Sequence, residues 1–435
     1  MGRVERRRLP QRPGPANLRA VNITPSLALV CLLVGLTGCM GPGKWHEGET
    51  VPPPGEWLQS RMTGPPSVEA ASPVRTPALP GRKKFRFCCA FGTDLRVRLG
   101  QMPIPWLKVG RVVDAEDLGP HRYDGATAAI DDERENAFPW GEANGLVYTC
   151  HAGFLDTAHI REQVDWVAFF ISQLDRNLAT GTEIDLTPEG AERRLVLQPI
   201  PPELIEAYGR DEVIVSIAQW LAYQGSIWHE IAQWYGWSLV NLYPELLSGF
   251  SPEDPVSNAI GIDLLSGADV EKILASEKTY NDHVDQLIQI ALEELQPVPS
   301  AMGERVVRAV DQVWWDSEAR LPDNSLVRRR YLDTDTTLEA WLLPERLAST
   351  ALRADLEKEC GKDPQPAIFR IPESLGGYAF SDLATLEITP HGFPAQQPIF
   401  DEVGPTITPA DFPRLMQDVR QQTLNELGPR AHLPD

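Results

Sequence analysis

The stretch Asp211–Leu242 reads DEVIVSIAQWLAYQGSIWHEIAQWYGWSLVNL, and its reading decides the fold. Between Glu212 and Glu245 the only charged residue is Glu230. Val213, Ile217, Trp220, Gln224, Ile227, Ile231, Trp234 and Tyr235 recur at the three- and four-residue spacing of one helical face. Ala218, Ala222, Gly225, Ser226 and Ala232 lie around the opposite side, small enough for a neighbour to approach closely. A helix that is apolar or small all round is a buried one. Gln219, Gln224, His229, Glu230 and Gln233 make it too polar to span a membrane. The spacing therefore predicts a buried central helix over about 211–242.

Working outward, Ile160, Val164, Val167, Ile171, Leu174 and Leu178 alternate at spacings of four and three. They predict an amphipathic helix over 154–178, packed by its apolar stripe against the central one. Short strands are expected at 145–150 and at 194–200, the latter closed by Pro201-Pro202, and Gly153 reads as the passage into the 154–178 helix. Arg86–Phe91 looks like another strand, ending at Gly92. Further helices are read near 268–276, 281–295 and 302–319, and strand-like runs at 367–371 and 383–388. A last helix covers Pro409–Leu427, with Thr408 as N-cap and Asp411 three residues on. The class is α+β with helices dominant.

The first 84 residues read differently. Residues 25–38 form a short apolar run behind Arg3, Arg6, Arg7, Arg8, Arg12 and Arg19, too short for a transmembrane helix but suited to a secretion signal. Leu36-Thr37-Gly38-Cys39 resembles the bacterial lipobox, which implies that Cys39 is acylated and becomes the new N-terminus. Residues 39–84 are rich in Pro and Gly and read as an extended, disordered linker from the anchor to a single α+β body over 85–435, with a subdivision near 300 left open. Met40, where Asp would favour inner-membrane retention, implies the outer membrane by resemblance to lipoprotein sorting rules. The expected location is the periplasmic face of the outer membrane, with the lipid at Cys39 as the membrane partner.

Removal of residues 1–38 takes away 6 of 40 basic and 1 of 61 acidic residues, so the mature chain carries 34 − 60 = −26. So negative a surface argues against nucleic acid, whose affinity comes from Lys and Arg neutralising phosphate. It argues equally against direct binding to anionic lipid headgroups. There is no phosphate-binding loop and no dinucleotide glycine pattern. An envelope polymer or a protein remains the expected class of partner.

His229-Glu230 is the sharpest chemical signal in the body. A buried carboxylate must be hydrogen-bonded, ion-paired, protonated or bound to a metal. The zincin pattern places two His at i and i+4 around such a Glu, but here Gln233 stands where the second His belongs. A second cluster, Asp156 and His159, lies at i,i+3 on one face of the 154–178 helix. An acid-x-x-His pair on one helix facing a His-Glu on another is how helical metal sites are assembled. The candidate ligands of one divalent, zinc-like ion are Asp156, His159 and His229, with Glu230 as general base or fourth ligand. Glu253 or Asp254 could add an oxygen. The bland alternative is a buried His-Glu pair satisfied by polar neighbours. Cys150, at a strand end before a helix, is the alternative nucleophile; pairing among Cys88, Cys89, Cys150 and Cys360 in an oxidising compartment competes with it. The Trp-rich stretch 220–237 is more simply core than a sugar platform.

The segments Phe87–Gly92, Thr149–His159 and Trp228–Gly236, with the loop Phe250–Asp254, resemble a family of uncharacterised proteobacterial lipoproteins over about 85–430. That resemblance implies an envelope lipoprotein and brings no activity with it. Two functions follow from the residues: a metal-dependent hydrolase of an envelope substrate, or a non-catalytic scaffold or binding protein.

Overall fold

The computed structural model describes residues 46–47, 75–81, 86, 90–99, 102–109, 111–125, 142–238, 248–321, 323 and 325–431. Leu146–Thr149 (β1) and Gly153–Asp156 (β2) make an antiparallel hairpin that pairs Leu146 with Asp156. Gly153 therefore opens a strand, not a helix as its position had suggested. Its φ of +65° belongs to the left-handed region, and a Cβ there would stand 2.2 Å from the Trp341 carbonyl oxygen, so only glycine fits. Thr157–Asn177 (α1) follows at once, with Asp156 as N-cap accepting the Ala158 N–H at 2.8 Å.

The expected apolar stripe of α1 is buried, from Ile160 to Leu174, but so is most of the rest of the helix. Its polar face is covered by a charged network that the 3.6-residue pattern does not announce. Arg86 Nε meets Glu142 Oε2 at 2.7 Å and its Nη2 meets Asp165 Oδ2 at 3.0 Å. Tyr280 Oη donates to Asp165 Oδ1 at 2.7 Å, and Arg161 Nη1 donates to Asn144 Oδ1 at 2.9 Å. His121 Nε2 stands 3.1 Å from Asp165 Oδ1. The stretch read as a linker is docked before its expected end. Tyr123 Oη donates to Ala78 O at 2.5 Å, Thr187 Oγ1 donates to Pro80 O at 2.7 Å, and Gly81 N donates to Asp124 Oδ1 at 3.0 Å.

Thr182–Asp185 (β3) and Ala191–Leu197 (β4) come next, and then Arg210–Trp234 (α2). As its composition requires, α2 is buried on nearly every side, with Trp220, Gly225 and His229 half-buried. It ends at Trp234, short of the expected Leu242, and 239–247 lie outside the described residues. Asp254–Asp263 (α3) packs on α1 so closely that a Cβ at Gly261 would lie 2.2 Å from the Ile160 carbonyl oxygen. α1 thus carries α2 on one flank and α3 on another.

Glu277–Leu295 (α4) and Ser300–Ala309 (α5) follow. The helix expected to run to 319 stops at Ala309, because Trp314 and Trp315 turn inward: Gln312 adopts φ +64° and Trp315 Nε1 donates to Val307 O at 2.9 Å. Thr350–Cys360 (α6) leads into the C-terminal part. There Ala384–Pro390 (β5) pairs antiparallel with β4, completing a three-stranded sheet in the order β5-β4-β3. The last helix, Phe412–Leu427 (α7), opens through a one-turn 3-10 segment whose capping box joins Thr408 and Asp411 as expected. It packs on α2, where Trp234 Nε1 donates to Gln422 Oε1 at 3.0 Å and Tyr235 Oη donates to Asp418 Oδ2 at 2.8 Å.

Helix makes up 47% of the described residues against 16% strand, which is the helix-dominant α+β class. One hydrophobic cluster runs from Val113 to Val419, and a second surrounds Trp314 and Trp315. The four Trp of 220–237 belong to the first cluster or pack against it: Trp228 is fully buried, stacked on Phe412. No helix among the described residues is long and apolar enough to cross a membrane.

Candidate metal centre

Where β2 becomes α1 and the chain enters α3, three side chains converge. Asp156 caps α1 and His159 lies one turn in, so both project from the start of the same helix. Asp254 is the first residue of α3, and Asn258 stands one turn on. One candidate ligand atom from each of Asp156, His159 and Asp254 lies within 4.8 Å of the other two, and all three residues are buried. Ser257 ties the two helix starts together: its Oγ accepts from Asp156 N at 2.9 Å and donates to Glu253 O at 2.6 Å.

His159 is prepared as a ligand. Its Nδ1 is 3.1 Å from Asn258 Oδ1, which can only accept, so the ring proton sits on Nδ1 and Nε2 keeps its lone pair. Nε2 faces Asp254 Oδ1 at 3.2 Å without hydrogen-bond geometry. That separation suits two ligands sharing one ion at about 2.0–2.2 Å from each. Burial first, and then the charge of His229, lower the His159 pKa to about 3, which keeps the ring neutral. A neutral His with its other nitrogen held by an acceptor is the usual state of a metal-ligating imidazole.

More carboxylates surround this group. Glu230 on α2 is 3% exposed; its Oε2 accepts the Phe250 N–H at 2.5 Å, and its Oε1 has no hydrogen-bond partner. Glu253, the residue before α3, is 1% exposed, with neither carboxylate oxygen hydrogen-bonded. Burial first, then mutual repulsion among Asp156, Glu230, Glu253 and Asp254, pushes the Glu253 and Asp254 carboxyls well above their ordinary range. Burial likewise raises Glu230 to about 7, against the pull of His229, the Phe250 N–H and Arg330. Arg330 supplies positive charge, with Nη1 donating to Gly249 O and its guanidinium over the Trp234 ring. The loop entering α3 is strained: Phe250 sits at φ +59°, held by Glu230 and by the Tyr331 N–H on its carbonyl at 2.9 Å.

The structure brings Asp156 and His159 together with Asp254, which the sequence offered only as an additional oxygen. It does not bring His229 into that group. The His229 ring centre is 6.2 Å from that of His159, and the ring turns toward a different crevice, lined by Glu162, Gln163, Trp166, Glu189 and Arg193. There Nδ1 lies 3.7 Å from Glu189 Oε2, and Nε2 lies 2.8 Å from the Gln233 amide nitrogen. Burial acts to lower the His229 pKa, but Glu189, Glu162 and Glu230 outweigh it and raise it to about 10.

The nucleophile reading of Cys150 is corrected. Cys150 is joined to Cys360 in a disulfide with Cα atoms 5.2 Å apart, so it has no thiolate to offer. Cys39, Cys88 and Cys89 lie outside the described residues. The residues sequence reasoning missed are Asn258 as the partner of His159 and the depth at which Glu253 is buried. Asp254 and Asn258 at i,i+4 after Pro252 were a signal for a helix start carrying two polar groups on one face.

An α+β body with a buried carboxylate–histidine centre is the class these observations define. The chain belongs to the DUF4056 family, described as proteins of unknown function, whose profile matches residues 76–344 and so spans every member of the centre. No curated protein and no solved structure matches it significantly.

Proposed function

We propose that this protein is an exported lipoprotein, anchored through Cys39 at the periplasmic face of the outer membrane, that hydrolyses an envelope substrate at a divalent cation. The convergence of Asp156, His159 and Asp254 carries the reading, with the His159 lone pair facing Asp254 at 3.2 Å. A His–carboxylate set of this kind takes ions such as Zn2+ or Mn2+. A cation there supplies Lewis acidity to a carbonyl and to the attacking water. Glu230, with Oε1 unpartnered, takes the proton of that water and returns it to the leaving amine or alcohol. A cavity bordered by Glu230, Asn258, Tyr223, Ser226 and Tyr331 offers about 20 Å³, room for about one water beside Glu230. The Cys150–Cys360 disulfide suits an oxidising compartment and so supports export.

The burial of the three ligands, each at 0–1% exposure, favours a second reading in which the ion is structural and the protein a non-catalytic scaffold. Metal analysis by mass spectrometry on the purified protein tests the centre itself. We expect stoichiometric metal in the wild type and its loss in His159→Ala and Asp254→Asn; a metal-free wild type overturns the proposal. Cobalt substitution then separates the readings. A visible spectrum that shifts with acetohydroxamate shows an open coordination position, whereas an unresponsive spectrum leaves the scaffold. Cys39→Ser should release the body from membrane fractions, and unchanged association would refute the anchor.

A further inference from the structure

The crevice that His229 enters has no part in the chemistry at Asp156, His159 and Asp254. It opens between α1, which contributes Gln163 and Trp166, and α2, which contributes Gly225 and His229. Glu189 and Arg193 reach it from the turn into β4 and from β4 itself. Gln163 and Arg193 are each 4% exposed, yet Gln163 Oε1 and Arg193 Nη2 have no hydrogen-bond partner, and neither has His229 Nδ1. Buried polar groups left in this state require an explanation.

The other atoms of these groups are already engaged. Arg193 Nε donates to Thr187 O at 2.8 Å and Nη1 meets Glu189 Oε2 at 2.8 Å, which leaves Nη2 as the spare donor. His229 Nδ1, 3.7 Å from the same Glu189 oxygen, carries a proton in either state of the ring. The charged ring has one on each nitrogen, and in the neutral ring Nε2 is the acceptor facing the Gln233 amide nitrogen at 2.8 Å. The crevice therefore presents two spare N–H donors and one spare carbonyl acceptor.

A hydroxyl is the complement of that set, with one O–H to donate and two lone pairs to accept. Size agrees: the interior offers about 10 Å³, which seats about one water-sized group and not the nitrogen and oxygen of an amide together. Charge agrees too. An anion would meet Glu162 and Glu189, and a cation would meet Arg193. What enters is an arm of something larger, because a Cβ at Gly225 would meet nothing within 4 Å and the wall of α2 is open there. Trp166 and Phe170 border the crevice with apolar surface.

We propose that this crevice is a binding subsite for a neutral saccharide, which inserts one hydroxyl among Gln163, Arg193 and His229 and lays its ring over Gly225. Hydroxyls beside C–H groups are what a sugar ring offers to a few placed polar atoms with aromatic neighbours. The subsite uses none of the three metal ligands and stands without the ion.

Calorimetric titration of the full-length protein with maltotriose and with tri-N-acetylchitotriose tests it, with metal content measured on the same samples so that the two sites are read separately. At least one of these neutral sugars is expected to bind at one site per chain. Gln163→Met, which keeps the bulk and removes the acceptor, should weaken binding about two- to tenfold, the loss of one hydrogen bond. Gly225→Leu should abolish it by filling the open wall. Failure of both sugars to bind overturns the proposal and leaves the crevice to a buried water. Binding that neither variant alters overturns the location. Trigalacturonate, chitotriose or N-acetyl-trialanine amide binding as tightly as the neutral sugars, and blocked by Gly225→Leu, overturns the ligand class. Should Gln163→Met fail to fold, Gly225→Leu still decides, since its side chain enters open space.

Discussion

Replacing Gly261 by Ala puts the relation between helix packing and the centre to its sharpest test. The added Cβ would meet the Ile160 carbonyl oxygen at 2.2 Å and Gln163 Cβ at 3.0 Å. An ordinary contact is 3.4 Å or more, so α3 and α1 must part by about 1 Å. The obstacle is backbone on a helix that is itself embedded, and it cannot swing aside as a side chain could. Overpacking of this kind costs about 1–3 kcal/mol, offset in part by the roughly 1 kcal/mol that Ala gains over Gly in a helix. The larger consequence falls on the metal. His159 lies on one of these helices and Asp254 on the other, and ligand distances tolerate only about 0.2 Å. Manganese affinity is expected to fall at least about tenfold, the lower end of what disturbed ligand support costs. Gly225→Ala on α2 is the control, since a Cβ there meets nothing within 4 Å, and it should stabilise by up to about 1 kcal/mol. Urea unfolding of the metal-free proteins and calorimetric titration with Mn2+ give the two readouts. Equal stability and unchanged affinity in Gly261→Ala, or the same sign for both substitutions, would refute the reasoning.

Two further outcomes follow from the network and the disulfide. Burial acts to raise the Glu142 carboxyl, but Arg86, Arg161 and His121 outweigh it and bring it to about 2. Its folded pKa thus lies below the roughly 4.3 of an unfolded Glu, so its stabilisation is present above about pH 4.3 and is lost as pH falls toward 2. Glu142→Gln should cost about 3 kcal/mol at pH 7, by leaving Arg86 buried with Asp165 as its one remaining ion-pair partner, and should flatten the loss of stability between pH 5 and 2; an unaltered acid limb in urea unfolding would count against it. Opening the Cys150–Cys360 bridge by the double substitution to Ser removes a crosslink spanning 210 residues. It should cost about 2–5 kcal/mol in the metal-free protein while leaving metal stoichiometry intact, read by thermal unfolding and mass spectrometry.

The sequence carries its local physics openly and its long-range physics hardly at all. α2 was legible because thirty residues with one charge can only be a buried helix, and α7 because Thr408 and Asp411 spell a helix start. Asp156 and His159 were legible as a pair because i,i+3 spacing fixes their common face. Asp254 was legible only as one of two candidate added oxygens, since its arrival depends on α3 crossing α1 at Gly261, a contact between residues about a hundred positions apart. Asn258, which fixes the His159 proton, depends on the same crossing. Periodicity also under-read α1. Arg161 and Asp165 look like a solvated face until Arg86, Asn144 and Tyr280 arrive from elsewhere to bury them. His229 misled for the complementary reason: adjacency to Glu230 says nothing of direction, and neighbours on a helix point about 100° apart.

The family profile ends at residue 344, but the packing does not. β5 supplies the partner along one whole edge of β4, and α7 covers the aromatic end of α2 with Phe412 against Trp228 and with Asp418 and Gln422 on Tyr235 and Trp234. A polypeptide stopped at the profile's boundary would expose a bare strand edge beside a patch of tryptophan, the kind of surface that recruits other copies into aggregates. Any relative that shares the profile but lacks these last ninety residues must therefore cap that edge and that patch by other means. What is inherited as a recognisable unit and what folds as one are, in this chain, two different lengths.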